Sequence, residues 1–532
     1  MSIFNIILDL SKQIPFAAEF INHQATNSIC QAIPPRPHAF SCWSHLPRPA
    51  QADQAGPVND YTSWPMLTDH SYSARHLPPA SLAYINSLPP DAAYNPSLPQ
   101  IGQITQLFAR QGAMRPSRSS MLFMFFAQWF TDSVLRVDPQ DRRKNTSNHN
   151  IDLCQIYGLT EATARMLRTL EGGRLRSQIV NGEEFPDYLG SLDDAGNWQV
   201  KAHYQNLPHV LDQSIQTLYG EWGPQRMSKL YATGLERGNS TLGYVAISAL
   251  FLREHNRICT ELAQRHVAWD DERLFQTARM INTVILMKLV VQDYINHISG
   301  ADIFRFDPSF AEQESWYRTP WIALEFDLLY RWHGMVPDTI QVGASQLGVQ
   351  DYLVNNALLE NTGLGAIIAA CSVQAAGAIG LQNVPHYLLG AEYAMVKMGR
   401  DFRLASYNEY RQFFGLNALT SFEELCDDAA LRQRLQSLYG DIDRVEFVIG
   451  LFAQQHEPEH LFGDLLNVMV AYDAFTQIYT NPLLAHKVYT ADTLSEYGME
   501  LIANTETVQD LVKRNVVATG GVKANFAYQG ET

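Results

Sequence analysis

Nowhere in the 532 residues does alternation of apolar and polar side chains persist long enough to specify a large sheet. A chain of this length must therefore bury its core with helices. The helical signals are explicit. Asp270 is placed to cap a long helix running to Ser299 and stopping at Gly300, where glycine accepts the left-handed conformation. Ser421 with Glu424 has the spacing of a capping box before Leu425. Ile3, Ile6, Ile7 and Leu10 fall on one stripe, followed by Ile14-Pro15-Phe16 and Phe20-Ile21. This predicts short amphipathic helices over residues 1–24, which either pack on the main body or lie flat in a bilayer interface. Residues 30–60, with many Pro, Ala and polar residues, read as a linker or wrapping arm.

The stretch from Asn361 to Gly390 contains no Asp, Glu, Lys or Arg, and Gly363–Leu381 is long enough to span a bilayer. Its Gly, Ala, Gln and Ser content points instead to a buried helix with close backbone approach. The net charge of −16 argues against a nucleic-acid partner, whose phosphates need clustered Lys and Arg, and disfavours tight attachment to anionic lipid. Six cysteines (Cys30, Cys42, Cys154, Cys259, Cys371, Cys426) form no C-x-x-C pair, which suits reduced thiols in a cytoplasmic enzyme. Met1-Ser2-Ile3 supplies no basic n-region, and Asp9 and Lys12 interrupt any apolar h-region. The expected location is cytoplasmic, with peripheral membrane contact through the N-terminal helices left open.

The chemistry concentrates in Leu329-Tyr330-Arg331-Trp332-His333. On a helix, residues three apart share a face, with Cβ atoms roughly 5–6 Å apart. His333 could then ligate a haem iron, and Tyr330 could lose an electron to that haem. Taken alone, the same pattern also fits a packed aromatic beside a satisfied core histidine. The flanking text is more specific: Trp321-Ile322-Ala323-Leu324-Glu325-Phe326 leads in, and Gly334-Met335-Val336-Pro337-Asp338 follows. With these belong Ser63-Trp64, Arg75 and Pro78-Pro79, then Phe126-Ala127-Gln128-Trp129-Phe130-Thr131, and Asp152-Leu153 with Ile156-Tyr157-Gly158. Further on come Leu252-Arg253-Glu254-His255-Asn256-Arg257, Leu274-Phe275-Gln276-Thr277, Asn408-Glu409-Tyr410-Arg411 and Leu438-Tyr439-Gly440-Asp441-Ile442-Asp443.

From about Tyr61 to about Asn481, this ordered set resembles the cyclooxygenases (prostaglandin-endoperoxide synthases) and their fatty-acid dioxygenase relatives in the haem peroxidase-cyclooxygenase superfamily. The resemblance implies a mainly α fold: N-terminal amphipathic helices and linker over 1–58, membrane-facing in relatives, and a large haem-dependent catalytic domain over 59–532. It implies haem b held by His333, with Trp332 and Tyr294 at the cofactor side and Tyr330 as the radical. Tyr294 matches the tyrosine that hydrogen-bonds the radical tyrosine. Ile295, Ile298 and Ser299 match channel-lining positions.

Two regions depart from the family pattern. Gln128 matches the distal glutamine, but the distal histidine four residues later is Asp132. An aspartate titrates near 3.9 and a histidine near 6.5, so an ionised Asp132 accepts a proton but donates poorly. Burial that raised its pKa would partly restore donation. At the channel mouth, the arginine and tyrosine that hold a fatty-acid carboxylate are replaced by about Ile29 and by Ala301, and Ala474 falls at the serine whose acetylation blocks cyclooxygenases. Tyr-Arg-Trp-His is similar to bacterial linoleate-type dioxygenases. The resemblance therefore implies O2 insertion into an unsaturated fatty acid through a tyrosyl radical, releasing a hydroperoxide, with weak peroxidase activity. A cyclooxygenase acting on a twenty-carbon polyene and a haem peroxidase are the alternatives. A homodimer would be in keeping with the family. Calcium is left open, since Arg136 to Asn150 shows no convincing ligand set.

Overall fold

The computed structural model describes residues 15–33, 69–77, 98–457, 460–516 and 521–529. Among these the protein is mainly helical, and its strands form four separate two-stranded antiparallel ribbons. Two long helices make the spine, Leu242–Arg265 and Asp271–Leu289, packed against one another. Each begins on a side-chain cap: the Thr241 hydroxyl accepts from the Tyr244 amide, and the Asp270 carboxylate accepts from the Arg273 amide. The second continues through a π segment, Val290–Ile295, to Asn296–Ser299, and stops at Gly300 with φ +68°. The expected cap and stop of this helix are both present.

At 29 residues that run is the one helix among those described that is long and apolar enough to cross a membrane, but most of its apolar window is buried inside the protein. It is a core helix. Beside it, Glu254 is fully buried and held by Arg257 at 2.9 Å, Arg514 at 3.0 Å and the Asn515 amide at 2.6 Å, which ties the spine to the C-terminal helix Val508–Asn515.

Three local expectations are corrected. The uncharged stretch after Asn361 is no single helix: Leu364–Ser372 forms nine residues of helix, and Ala375–Gly377 forms a strand. Small residues do permit close backbone approach there, because a Cβ on Gly377 would lie 2.1 Å from the Gly334 carbonyl oxygen. Ser421 starts the helix Phe422–Leu425 without a side-chain cap, and the Glu424 carboxylate accepts from the amide and hydroxyl of Thr420 in place of the Ser421 amide. Third, Pro15–Cys30 is one continuous helix.

Its buried stripe is Asn22, Thr26 and Cys30, followed by Ile33. Asn22 exchanges hydrogen bonds with the backbone of Arg305, and His23 bonds Asp307 at 2.7 Å. The helix also packs on the Asp464–Tyr479 helix, while Phe20 stays exposed. The Ile3–Leu10 stripe and most of the 30–60 arm lie outside the described residues. The five described cysteines are buried free thiols.

Candidate active site

Tyr330 and His333 do not share a helix face. The helix Leu324–Leu329 ends at Tyr330, and His333 opens a separate 3-10 turn, His333–Met335. Tertiary contacts override the local helical pattern here. The buried Arg110 guanidinium donates to the Val336 carbonyl at 2.6 Å and pairs with Asp338 at 2.7 Å. The Asn383 amide reaches the carbonyls of Gly334 and Ala378. The turn is thereby clamped against the strand Ala375–Gly377. That strand pairs with Pro116–Ser120, which runs directly into the helix Met121–Thr131. One short ribbon so fixes the His333 turn relative to the helix carrying Gln128.

His333 Nδ1 lies 2.7 Å from Glu392 Oε1, on the helix Leu389–Asp401. A carboxylate only accepts, so Nδ1 carries the proton and Nε2 keeps its lone pair. The His333 side chain is 23% exposed, which leaves that nitrogen open to a ligand. This is the donor chemistry of an axial imidazole backed by a carboxylate, and it fits a haem iron at Nε2.

Tyr330 sits in an apolar box. Phe326 meets its ring edge-on at 5.0 Å, and Trp332 stacks on it at 4.6 Å. Trp332 packs also on Phe462, with its indole N–H unpartnered, so it is placed against the Tyr330 ring. The hydroxyls of Tyr330 and Tyr294 are both buried without a hydrogen-bond partner of ordinary geometry. They lie close enough to perturb one another, and burial pushes both phenols far above their usual range, with Asp473 adding to the effect at Tyr330. Tyr330 is therefore a neutral O–H, the state from which a hydrogen atom can be lost. Tyr294 occupies the π segment, a helix defect that recurs at functional sites, and its ring stacks on Phe123 at 4.9 Å.

The distal pair is only partly as expected. Every residue of Met121–Phe130 is buried except Gln128, which is exposed and accepts a hydrogen bond from Thr241 at 3.1 Å. The glutamine thus points away from the apolar packing of its own helix, not into it. Asp132, the first residue past that helix, is half-buried. Burial raises its pKa, while Arg237 and the Tyr244 hydroxyl pull the other way.

Of the channel candidates, Ile295, Ile298 and Ala474 are buried, whereas Ser299 and Ala301 are half-buried. The Ser299 hydroxyl is used in the turn, donating to the carbonyls of Asn296 and Ala301. Ala474 lies on the Asp464–Tyr479 helix, which packs on the helix leading to Tyr330.

Three participants escaped sequence reasoning. Glu392 stands 59 positions after His333 in an ordinary helix, and Thr241 meets Gln128 across 113 positions. Asp473, beside Ala474, pairs with His76 at 2.8 Å in the interior. No local spacing announces any of these pairings.

A helical body that sets a carboxylate-backed imidazole beside a caged phenol defines a haem-binding oxidoreductase. Comparison with known proteins names it more closely. Residues 138–525 match the family model for animal haem peroxidases. The horse (Equus caballus) prostaglandin G/H synthase 2 is 32% identical over 463 residues, covering 86% of this chain and 72% of that protein. Among solved structures, peroxidase A of Dictyostelium discoideum superposes with a TM-score of 0.66 at 18% identity, covering 86% of this chain and 96% of its own. The fatty acid alpha-dioxygenase of Oryza sativa gives 0.64 at 17%, covering 84% and 81%. The chain belongs to the animal haem peroxidase family, in its cyclooxygenase-like branch, and is a haem-dependent oxidoreductase.

Proposed function

We propose that this protein inserts O2 into an unsaturated fatty acid of the linoleate type and releases the hydroperoxide. The observation that carries the reading is the Tyr330 hydroxyl: buried, close to the Tyr294 hydroxyl but without a hydrogen bond of ordinary geometry, walled by Phe326 and Trp332, and three residues from His333. Haem held through His333, once oxidised by a trace of fatty-acid hydroperoxide, would supply the one-electron oxidising power that Tyr330 needs. Although Tyr330 is half-buried as a residue, its hydroxyl is buried beside these rings, which would leave a phenoxyl oxygen free for a weak C–H bond. The Tyr330 radical takes a hydrogen atom from a CH2 flanked by two double bonds, leaving a carbon radical on the substrate. O2 adds to that carbon, and the peroxyl radical takes the hydrogen atom back from Tyr330. Hydroperoxide leaves, and the tyrosyl radical is regenerated.

Two departures support a single oxygenation followed by release. Asp132 stands where relatives place a histidine proton shuttle, which favours slow reduction of the hydroperoxide. Ala301 and the half-buried Ile29 replace the polar carboxylate anchor, which favours a different substrate register at Tyr330. Oxygen uptake by haem-loaded protein with linoleate tests the reading. The expected result is one O2 consumed per hydroperoxide formed, abolished in Tyr330→Phe with haem still bound. Two O2 per substrate on a twenty-carbon polyene would assign a cyclooxygenase instead. Uptake that persists without the Tyr330 hydroxyl would overturn the radical mechanism.

A further inference from the structure

Glu392 is fully buried, and only one of its carboxylate oxygens has a partner. Oε1 accepts from His333 Nδ1 at 2.7 Å, whereas Oε2 makes no hydrogen bond. A carboxylate kept for folding alone would be expected to use both oxygens, as Glu254 does with two guanidiniums and an amide. Burying an anion against a neutral imidazole is costly, because one hydrogen bond does not replace its hydration. Placement in the first turn of Leu389–Asp401 eases that cost only in part. What would offset it is a cation on the far side of the imidazole, at Nε2.

We propose that Glu392 is a positioning residue for the haem iron: it fixes the His333 tautomer and ring orientation and, by accepting the Nδ1 proton in a short charge-assisted hydrogen bond, gives the imidazole histidinate character. The inference rests on His333 being the axial ligand. Its consequence is an electron-rich imidazole that stabilises ferric over ferrous haem and strengthens the bond from iron to Nε2. With haem bound, the charge held at Glu392 would also assist the group's reaction with a peroxide. That matters here because Asp132 stands where relatives place the histidine that donates a proton in that reaction. The two carboxylates then act as a compensating pair, one supplying charge where the other fails to supply a proton efficiently.

Resonance Raman spectroscopy of the ferrous protein, read at the iron–histidine stretch, tests this together with the ferric/ferrous potential. Glu392→Gln keeps a hydrogen-bond acceptor but removes the charge. The stretch should fall in frequency and the potential should become more positive, and Glu392→Asp should restore both in part. An unchanged stretch and potential in Glu392→Gln, with haem bound, would overturn the proposal. Should that variant not fold, the wild-type band decides the matter. It must lie above that of His333→Gly loaded with haem and 1-methylimidazole, a ligand that has no N–H to give Glu392. A band at or below that reference refutes histidinate character. Absence of any iron–histidine band in the wild type would instead remove His333 as the ligand, which is a separate failure.

Discussion

Removing one atom, the Tyr330 oxygen, should separate stability from activity. In Tyr330→Phe the ring contacts with Phe326 and Trp332 are retained, and only a buried hydroxyl without a hydrogen bond of ordinary geometry is lost. Such a group costs a fold about 1–3 kcal/mol in lost hydration, so its removal returns up to that amount. With an unfolding entropy of about 2.1 cal/mol/K per residue over 532 residues, 1 kcal/mol corresponds to about 1 °C in melting temperature. Tyr330→Phe should therefore melt about 1–3 °C higher than wild type. Its fatty-acid oxygen uptake should drop to background while its haem spectrum persists. Tyr294→Phe is the matched control: it deletes the neighbouring unpartnered hydroxyl, should gain similar stability and should still consume oxygen. Scanning calorimetry and an oxygen electrode give both readouts on the same samples. A melting temperature lowered by more than about 1 °C would mean that the Tyr330 hydroxyl makes a net favourable hydrogen bond, and would refute the unpartnered O–H.

Three other substitutions probe separate parts of the argument. Asp132→His restores a proton shuttle with a pKa near working pH and should raise hydroperoxide-reducing turnover at least about tenfold, measured with a chromogenic donor. Asp293, next to Tyr294, is half-buried with one backbone donor, and its pKa is pushed up by desolvation to about 6. A raised folded-state pKa means the native state holds this proton more tightly than the unfolded chain, so the stabilisation is present in acid and lost as pH rises through about 6. Asp293→Asn should accordingly be worth roughly 3 kcal/mol at pH 8 and close to nothing at pH 4; equal melting shifts at both pH values would contradict this. Glu254→Leu leaves two guanidiniums without their carboxylate and should cost about 3–5 kcal/mol, or about 3–5 °C, in the same calorimetric scan.

The helical class and the longest core helix were legible because they depend on local physics. Asp270 caps by its own side chain, and Gly300 stops the helix by its own backbone freedom. The pairing of Tyr330 with His333 was legible as chemistry but not as geometry. A three-residue spacing reads as one helix face, whereas Arg110 and Asn383, each reaching more than 40 positions along the chain, pull residues 334–338 out of helical register. The Ser421 capping box failed for a smaller reason: Thr420 offers Glu424 both an amide and a hydroxyl, which outcompetes the single amide of Ser421. The charge-free stretch after Asn361 carried a correct hint of close packing and a wrong element type, because periodicity does not separate a buried helix from a helix–strand pair.

What the sequence most completely concealed is the division of labour between the two sides of the site. Asp132 was conspicuous because it breaks a recognisable spacing with Gln128, and on its own it argues for an impaired peroxide chemistry. Glu392 breaks nothing, since an acid in the first turn of an amphipathic helix is ordinary, and only the fold brings it to 2.7 Å from His333. The pair leads to a double-variant expectation. If Glu392 supplies electron density that partly makes up for a poor proton donor, then Glu392→Gln should slow peroxide activation more in the wild-type background than in Asp132→His, where the proton is supplied directly. Equal fold-losses in the two backgrounds, measured as the rate of haem oxidation by a fatty-acid hydroperoxide, would mean that the two carboxylates act independently.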